Sequence, residues 1–357
     1  MIPDAKKILV IKLRAIGDVV LSTSVLPGIR RAYPDSEIHF LTEIPSVPAV
    51  EGNPDLDRVV VLPRQEWAKL SRRNAWRASL DFTRMLRREK YDLVFDLFGN
   101  PRSAFLTWIT GAPVRVGYAF RGRKLFYNRR VPPRGDRIHE LEFNLDALKM
   151  IGIPVQDARP LFPVAAEDKK KIREWLGEQG LLDEFRVGMH VWGSWEAKRW
   201  DLEKFAVLAD RMGERYRARV ILLWGPGEQE HAVRVQEMAR NPVYVAPETS
   251  LKELGALLSQ CALVVANDSG PMHIAAALGV PTVGIFGPTS WKLQGPYGDS
   301  HGVAYKEGLT CLGCNRLSCG HLSCMRKLGV KAVLDVVDRV MKETGLSVPV
   351  TPSSSQR

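Results

Sequence analysis

NDSGPMHIAAALGVPTVGIFGPT, residues 267–289, reads as the end of a buried strand, a tight polar turn, a helix start and a second apolar strand. Asp268, Ser269 and Gly270 precede Pro271. This pattern predicts a capping side chain and a proline at the first helical position, with backbone N–H groups left facing outward. Such a corner suits a phosphate or diphosphate. Alone it could be an ordinary capped helix in an α/β domain.

A second corner of the same kind lies near the N-terminus. In KKILVIKLRAIGDVVLSTSVLPGIRRAYP, residues 6–34, an apolar strand from Ile8 to Leu13 leads into a loop with Gly17 and Asp18 and then an amphipathic helix. Asp18 therefore falls at the carboxyl edge of a parallel strand, where open α/β sheets bind ligands. A helix cap is the plainer role for it.

The strand–helix alternation recurs through both halves. ILVIKL, EIHFLTE, RVVVLP and YDLVFDLF are strand candidates in the first half, with a helix between Gln65 and Lys90. RVGMHVW, RVILLWG, PVYVA, LVVANDS and TVGIFG follow in the second, with helices such as LEKFAVLADRMGERY and LKELGALLSQ between them. The segment 158–170, ARPLFPVAAEDKK, reads as a linker. Two α/β domains are expected, 1–160 and 161–346, with parallel sheets facing each other across a ligand cleft and a loose tail at 347–357.

A chain of 357 residues, 45% hydrophobic and 25% charged, is long enough for two cores and too apolar for disorder. No signal peptide is evident at the start, and the longest apolar run is broken by Gly279, Pro281 and Gly284. The net charge of +11 is concentrated in residues 1–160, where 27 Lys and Arg oppose 18 Asp and Glu. An anionic partner is expected there. No helix-turn-helix, zinc-finger or RNP signature accompanies the charge, which favours an anionic lipid surface or a phosphorylated acceptor over nucleic acid. Walker A, GxGxxG and HExxH motifs are absent from the sequence.

Three further residues of the second half point to a nucleotide. In WGSWEAKRW, Gly193 and Ser194 follow a strand, and Lys198 could meet phosphate oxygens. In WGPGEQEHA, Gly225 and Gly227 permit close backbone approach, and Glu228 could accept ribose hydroxyls. His273, one turn into the anion-corner helix, is either a further donor or a packed helix residue.

In this order, KILVIKLRAIGDVVLSTSVLPGIRRAYP, GSWEAKRW and NDSGPMHIAAALGVPTVGIFGPT resemble glycosyltransferase family 9, the ADP-heptose:lipopolysaccharide heptosyltransferases, over nearly the whole chain. The resemblance implies a GT-B fold, an N-terminal acceptor domain and a C-terminal nucleotide-sugar domain. It also implies inverting transfer of heptose, without a catalytic metal, to the Kdo or heptose of a lipopolysaccharide core on the cytoplasmic face of the inner membrane. By that analogy Asp18, beside Gly17, is the general base. Ser194, Lys198, Glu228, Asp268, Ser269, Gly270 and His273 bind the donor. Ser24 and Asp201 stand where the family often has proline. A transferase or epimerase using another nucleotide sugar, or a binding protein without catalysis, are the alternative readings.

CLGCNRLSCGHLSC, residues 311–324, places Cys311, Cys314, Cys319 and Cys324 within fourteen positions. A structural zinc site is one reading of this spacing, with His321 as a substitute ligand, and an iron–sulfur cluster is a second, although the spacing departs from the ferredoxin runs; free thiols on a loop are the third. Cys261 stands alone in an apolar stretch and reads as a core residue.

Overall fold

The computed structural model describes residues 2–134 and 138–346 and divides into two units between Pro163 and Val164. The expected tail, 347–357, lies outside the described residues. The first unit holds β1 (Lys7–Ile11), β2 (Glu37–Glu43), β3 (Arg58–Leu62), β4 (Leu93–Asp96), β5 (Val114–Tyr118) and β6 (Arg129–Val131). The second holds β7 (Arg186–His190), β8 (Arg219–Leu223), β9 (Val243–Val245), β10 (Leu263–Asn267), β11 (Thr282–Phe286) and β12 (His301–Tyr305).

Every strand pairing is parallel, and the two sheets share one winding order. The first runs β3-β2-β1-β4-β5-β6; the second runs β9-β8-β7-β10-β11-β12. Both are the doubly wound Rossmann order. Chain direction across the sheet reverses between β1 and β4 and again between β7 and β10, which opens a crevice at their carboxyl ends. The residues that end these strands are thus placed to meet ligands.

Parallel strands are covered on both faces, which is why they read as unbroken apolar runs. Ile8, Leu9, Val10 and Ile11 in β1, and Leu263, Val264, Val265 and Ala266 in β10, are fully buried. Each large side chain so buried contributes about 1.5–3 kcal/mol. One cluster around Leu9, Ile11 and Val94 forms a core of the first unit, and one around Val187, Phe205 and Val265 forms a core of the second. Gly284 in β11 allows a close approach: a Cβ there would stand 2.7 Å from Met272 Sδ in the overlying helix.

The structure departs from the sequence pattern in three places. Strands β5, β6 and β12 were not anticipated, because arginines interrupt VRVGY and RRV, and HGVAY is only half apolar. The single helix expected between Gln65 and Lys90 is two, Arg64–Trp67 and Arg72–Arg88; Ser71 accepts the Asn74 N–H and starts the second. The long N-terminal helix is likewise divided, into Ile16–Ser22, a 3₁₀ turn and Leu26–Ala32.

Candidate active site

The anion corner closes β10. The chain passes from Asn267 through Asp268 and Ser269 into the helix Gly270–Ala277. Gly270 is its first residue and Pro271 its second, one position later than the sequence suggests, and no side chain caps the start. Ser269 Oγ instead donates to the Asn267 carbonyl at 2.9 Å and lies 3.2 Å from His190 Nδ1 at the end of β7. The serine thus spans the crevice between β7 and β10. The uncapped helix start keeps its positive end for an anion. His273 is buried within the first turn of the same helix.

Lys198 reaches this corner from the loop after β7. Its Nζ stands 2.7 Å from Asp268 Oδ2, the same oxygen that accepts the Thr289 hydroxyl at 2.5 Å. The aspartate is buried; the lysine sits 4.4 Å over the Trp195 ring. An ammonium has three donors, so one given to Asp268 leaves two for phosphate oxygens. Asp268 is therefore an aiming residue for the cation.

Asn267, which the sequence reading passed over, fixes the loop that carries Lys198. Its side-chain amide donates to the Trp192 carbonyl at 3.3 Å and accepts the Trp200 N–H at 3.3 Å. Arg199 donates to the Gly193 carbonyl at 2.7 Å and lies over the Trp192 ring, which stacks on His231. Ser194 is exposed, its carbonyl 3.5 Å from Arg199 Nη2. The structure does not bring its side chain into the Lys198–Asp268 cluster.

Glu228 precedes the helix Gln229–Met238 after β8. Its Oε2 accepts the Gly225 N–H at 3.0 Å and lies 3.6 Å from His190 Nε2. Burial alone would lift this carboxyl toward protonation. His190, the Gly225 N–H and Arg199 outweigh it and hold Glu228 below the usual glutamate range. His190, also absent from the sequence reading, therefore links Ser269 to Glu228.

In the first unit Gly17 and Asp18 lie in the first turn of the helix Ile16–Ser22, not in a preceding loop. The Asp18 carboxylate accepts the Ala15 N–H at 3.4 Å, as an acidic residue at the third helical position commonly does. Lys12, at the end of β1, is buried and donates to Glu140 at 2.7 Å and to the Leu97 carbonyl at 3.0 Å. Burial pulls its ammonium toward neutrality. Glu140, Asp18 and Asp96 outweigh burial and hold the Lys12 pKa above its ordinary value. A cavity of about 390 Å³ at the start of the Asp18 helix is lined by Arg14, Glu43 and Arg64 among others. A larger one, about 720 Å³, runs along β12 and the helix Val330–Glu343 and touches none of these residues.

Of the readings open for the cysteines, the tetrahedral one does not match their arrangement. Among the described residues no three His, Cys, Asp or Glu side chains gather closely enough to hold a metal ion. Cys324 is turned inward against Gly287, where a Cβ would lie 2.8 Å from its sulfur, while Cys314 is exposed. The segment instead braces the corner: the Leu317 carbonyl accepts the Ala197 N–H at 3.2 Å, and Gly313 and Asn315 donate to the Gly287 and Pro288 carbonyls. It thus touches the chain on either side of the Lys198–Asp268–Thr289 group.

Two Rossmann-type sheets, with a cation and an uncapped helix at the switch point of the second and a carboxylate at that of the first, have the architecture of nucleotide-binding α/β enzymes. A family model described as glycosyltransferase family 9 (heptosyltransferase) matches residues 79–321, and the chain belongs to that family. It is 28% identical over 300 residues to lipopolysaccharide heptosyltransferase 3 of Escherichia coli, covering 81% of this chain and 85% of that protein. The solved family 9 glycosyl transferase from Veillonella parvula DSM 2008 superposes with a TM-score of 0.78 at 26% identity, covering 96% of this chain and 99% of the other. The E. coli heptosyltransferase WaaC, solved with ADP-2-deoxy-2-fluoro heptose, gives 0.71 at 23% identity over 93% and 99%. The enzyme is a glycosyltransferase with the fold of these proteins.

Proposed function

We propose that this enzyme transfers heptose from ADP-heptose to a Kdo or heptose residue of the lipopolysaccharide core, inverting the anomeric centre. The observation that carries the reading is the Lys198–Asp268–Thr289 group at an uncapped helix start, a charge arrangement suited to a departing diphosphate. Its family and its E. coli relative named as a lipopolysaccharide heptosyltransferase support the sugar and the acceptor.

In this reading Asp18 removes the proton of the acceptor hydroxyl as that oxygen attacks the anomeric carbon. The C–O bond to the diphosphate breaks, and ADP leaves as an anion that Lys198 and the N–H groups after Asp268 stabilise. One carboxylate suffices, because a diphosphate needs no acid to leave. Ser269, Gly270 and His273 line the diphosphate side, Glu228 takes the ribose hydroxyls, and Ser194 contributes through the loop it shares with Lys198. No catalytic metal is needed. Arg14 and Arg64 in the cavity at the head of the Asp18 helix suit the acidic groups of a phosphorylated core.

Among the described residues no helix is long and apolar enough to cross a membrane. We place the enzyme in the cytoplasm, held peripherally on the anionic face of the inner membrane where a lipid-linked acceptor resides; the positive balance of residues 1–160 supports this. Mass spectrometry of the glycolipid formed from purified ADP-heptose and defined core acceptors tests the function. A product heavier by one heptose is expected. A preference for UDP- or GDP-sugars, or donor binding without product across the acceptors, would overturn it.

A further inference from the structure

The helix Pro101–Ile109 buries Ser103, Ala104, Leu106 and Thr107 and leaves Arg102, Phe105 and Trp108 outside. Spaced three apart, these outer residues form one stripe. Phe105 is 42% exposed and Trp108 50%, their ring centroids 6.1 Å apart. Trp108 also meets Phe126 at 6.3 Å, and Leu125, next in the chain to Phe126, is 72% exposed. Scattered exposed apolar residues are ordinary; two exposed aromatic rings in contact, with an exposed leucine beside the phenylalanine that one of them meets, are a denser apolar ledge. Arg102 and Lys124 are exposed at its margins, and the exposed Arg87 lies beside Gly111 beyond the helix end, its Nη1 3.6 Å from where a Cβ would sit.

We propose that this ledge is a membrane-docking surface, on which Phe105, Trp108 and Leu125 enter the interface of an anionic bilayer while Arg102 and Lys124 engage lipid phosphates. Aromatic rings settle at the headgroup level, and each neighbouring cation adds about 1 kcal/mol on an anionic leaflet. The cationic rim argues for lipid over a second copy of this chain, whose identical rim would repel it. The proposal gives a location to the peripheral attachment inferred above and rests on that reading only for its biological purpose.

The test is co-flotation of the full chain with vesicles of phosphatidylethanolamine and phosphatidylglycerol, against vesicles of phosphatidylcholine alone. Strong binding to the first and weak binding to the second is expected. The pair Arg102→Gln and Lys124→Gln should weaken binding about thirtyfold, two cations at about 1 kcal/mol each. The pair Trp108→Ser and Leu125→Ser should weaken it about tenfold or more. Both variants should keep the wild-type thermal unfolding profile and glycosylate a de-acylated, soluble acceptor at the wild-type rate. Wild-type flotation of either variant, or no preference for phosphatidylglycerol, would overturn the proposal, as would a dimer in solution that the Trp108→Ser and Leu125→Ser pair dissolves while lipid binding is absent. If lipid binding is lost as expected but no acceptor is ever glycosylated, the functional reading fails and the surface stands.

Discussion

Lys198 Nζ and Asp268 Oδ2 stand 2.7 Å apart, and the lysine arrives there on a loop that the neighbouring Asn267 ties at both ends. One strand end thus supplies both the partner of the cation and the clamp on its loop. Lys198→Met removes at least one charge-assisted hydrogen bond worth about 1.5–3 kcal/mol, so ADP should bind about ten- to a hundredfold more weakly, or worse. Isothermal titration measures this; unchanged affinity would take Lys198 out of the donor site.

Asn267→Ala deletes one buried and one partly buried hydrogen bond of about 0.5–1.5 kcal/mol each. Stability should fall by about 1–3 kcal/mol, and the donor KM should rise more than kcat falls, because the loop loses its anchor while Lys198 keeps its charge. Steady-state kinetics beside a urea melt separates the two effects. A stability loss with no change in KM would make Asn267 a core residue and nothing more.

Asp18→Asn keeps the shape of the side chain and removes its basicity. Turnover should drop about 10²- to 10⁴-fold, the usual contribution of a general base, with ADP affinity retained. If the variant turns over at the wild-type rate, another group takes the proton.

Glu228 carries a lowered pKa, so its stabilising contribution is fully present above the ordinary glutamate value and is lost as pH falls through the lowered one. The stability gap between wild type and Glu228→Gln should be constant near neutrality and close in acid below the usual carboxylate range. Melting temperatures across pH report this, and a gap that widens in acid would contradict the His190 contact as its cause.

The thiols give a chemical check on the 311–324 segment. Backbone N–H groups of Leu322 and His321, aided by Arg316 and Arg326, lower the Cys319 pKa, whereas burial pushes Cys261 up to about 12. Iodoacetamide should label Cys319 first and leave Cys261 untouched until the chain unfolds. Treatment with EDTA should leave both transfer and labelling order unchanged; loss of transfer would show that a metal is needed after all.

Much of this was legible in the sequence because parallel strands buried on both faces leave unbroken apolar runs, as in ILVIKL and LVVAN. Strands interrupted by arginine or only partly apolar carry no such mark, so VRVGY, RRV and HGVAY escape the pattern whether they lie inside the sheet or at its edge. Lys198 and Asp268 were legible as corner residues, but their pairing was not, since seventy positions separate them and only the β7–β10 adjacency joins them. His190 and Asn267 hide inside strand ends, where a polar residue reads as the edge of an apolar run. The cysteine spacing left three readings open because a short interval in sequence says nothing about which sulfur turns inward, and Cys324 turns toward Gly287.

The break between Pro163 and Val164 leaves each doubly wound sheet with an interior of its own. A single melting temperature therefore describes this chain poorly. Scanning calorimetry should trace two endotherms, and nucleotide added to the cell should move the one that belongs to residues 164–346 while leaving its companion in place.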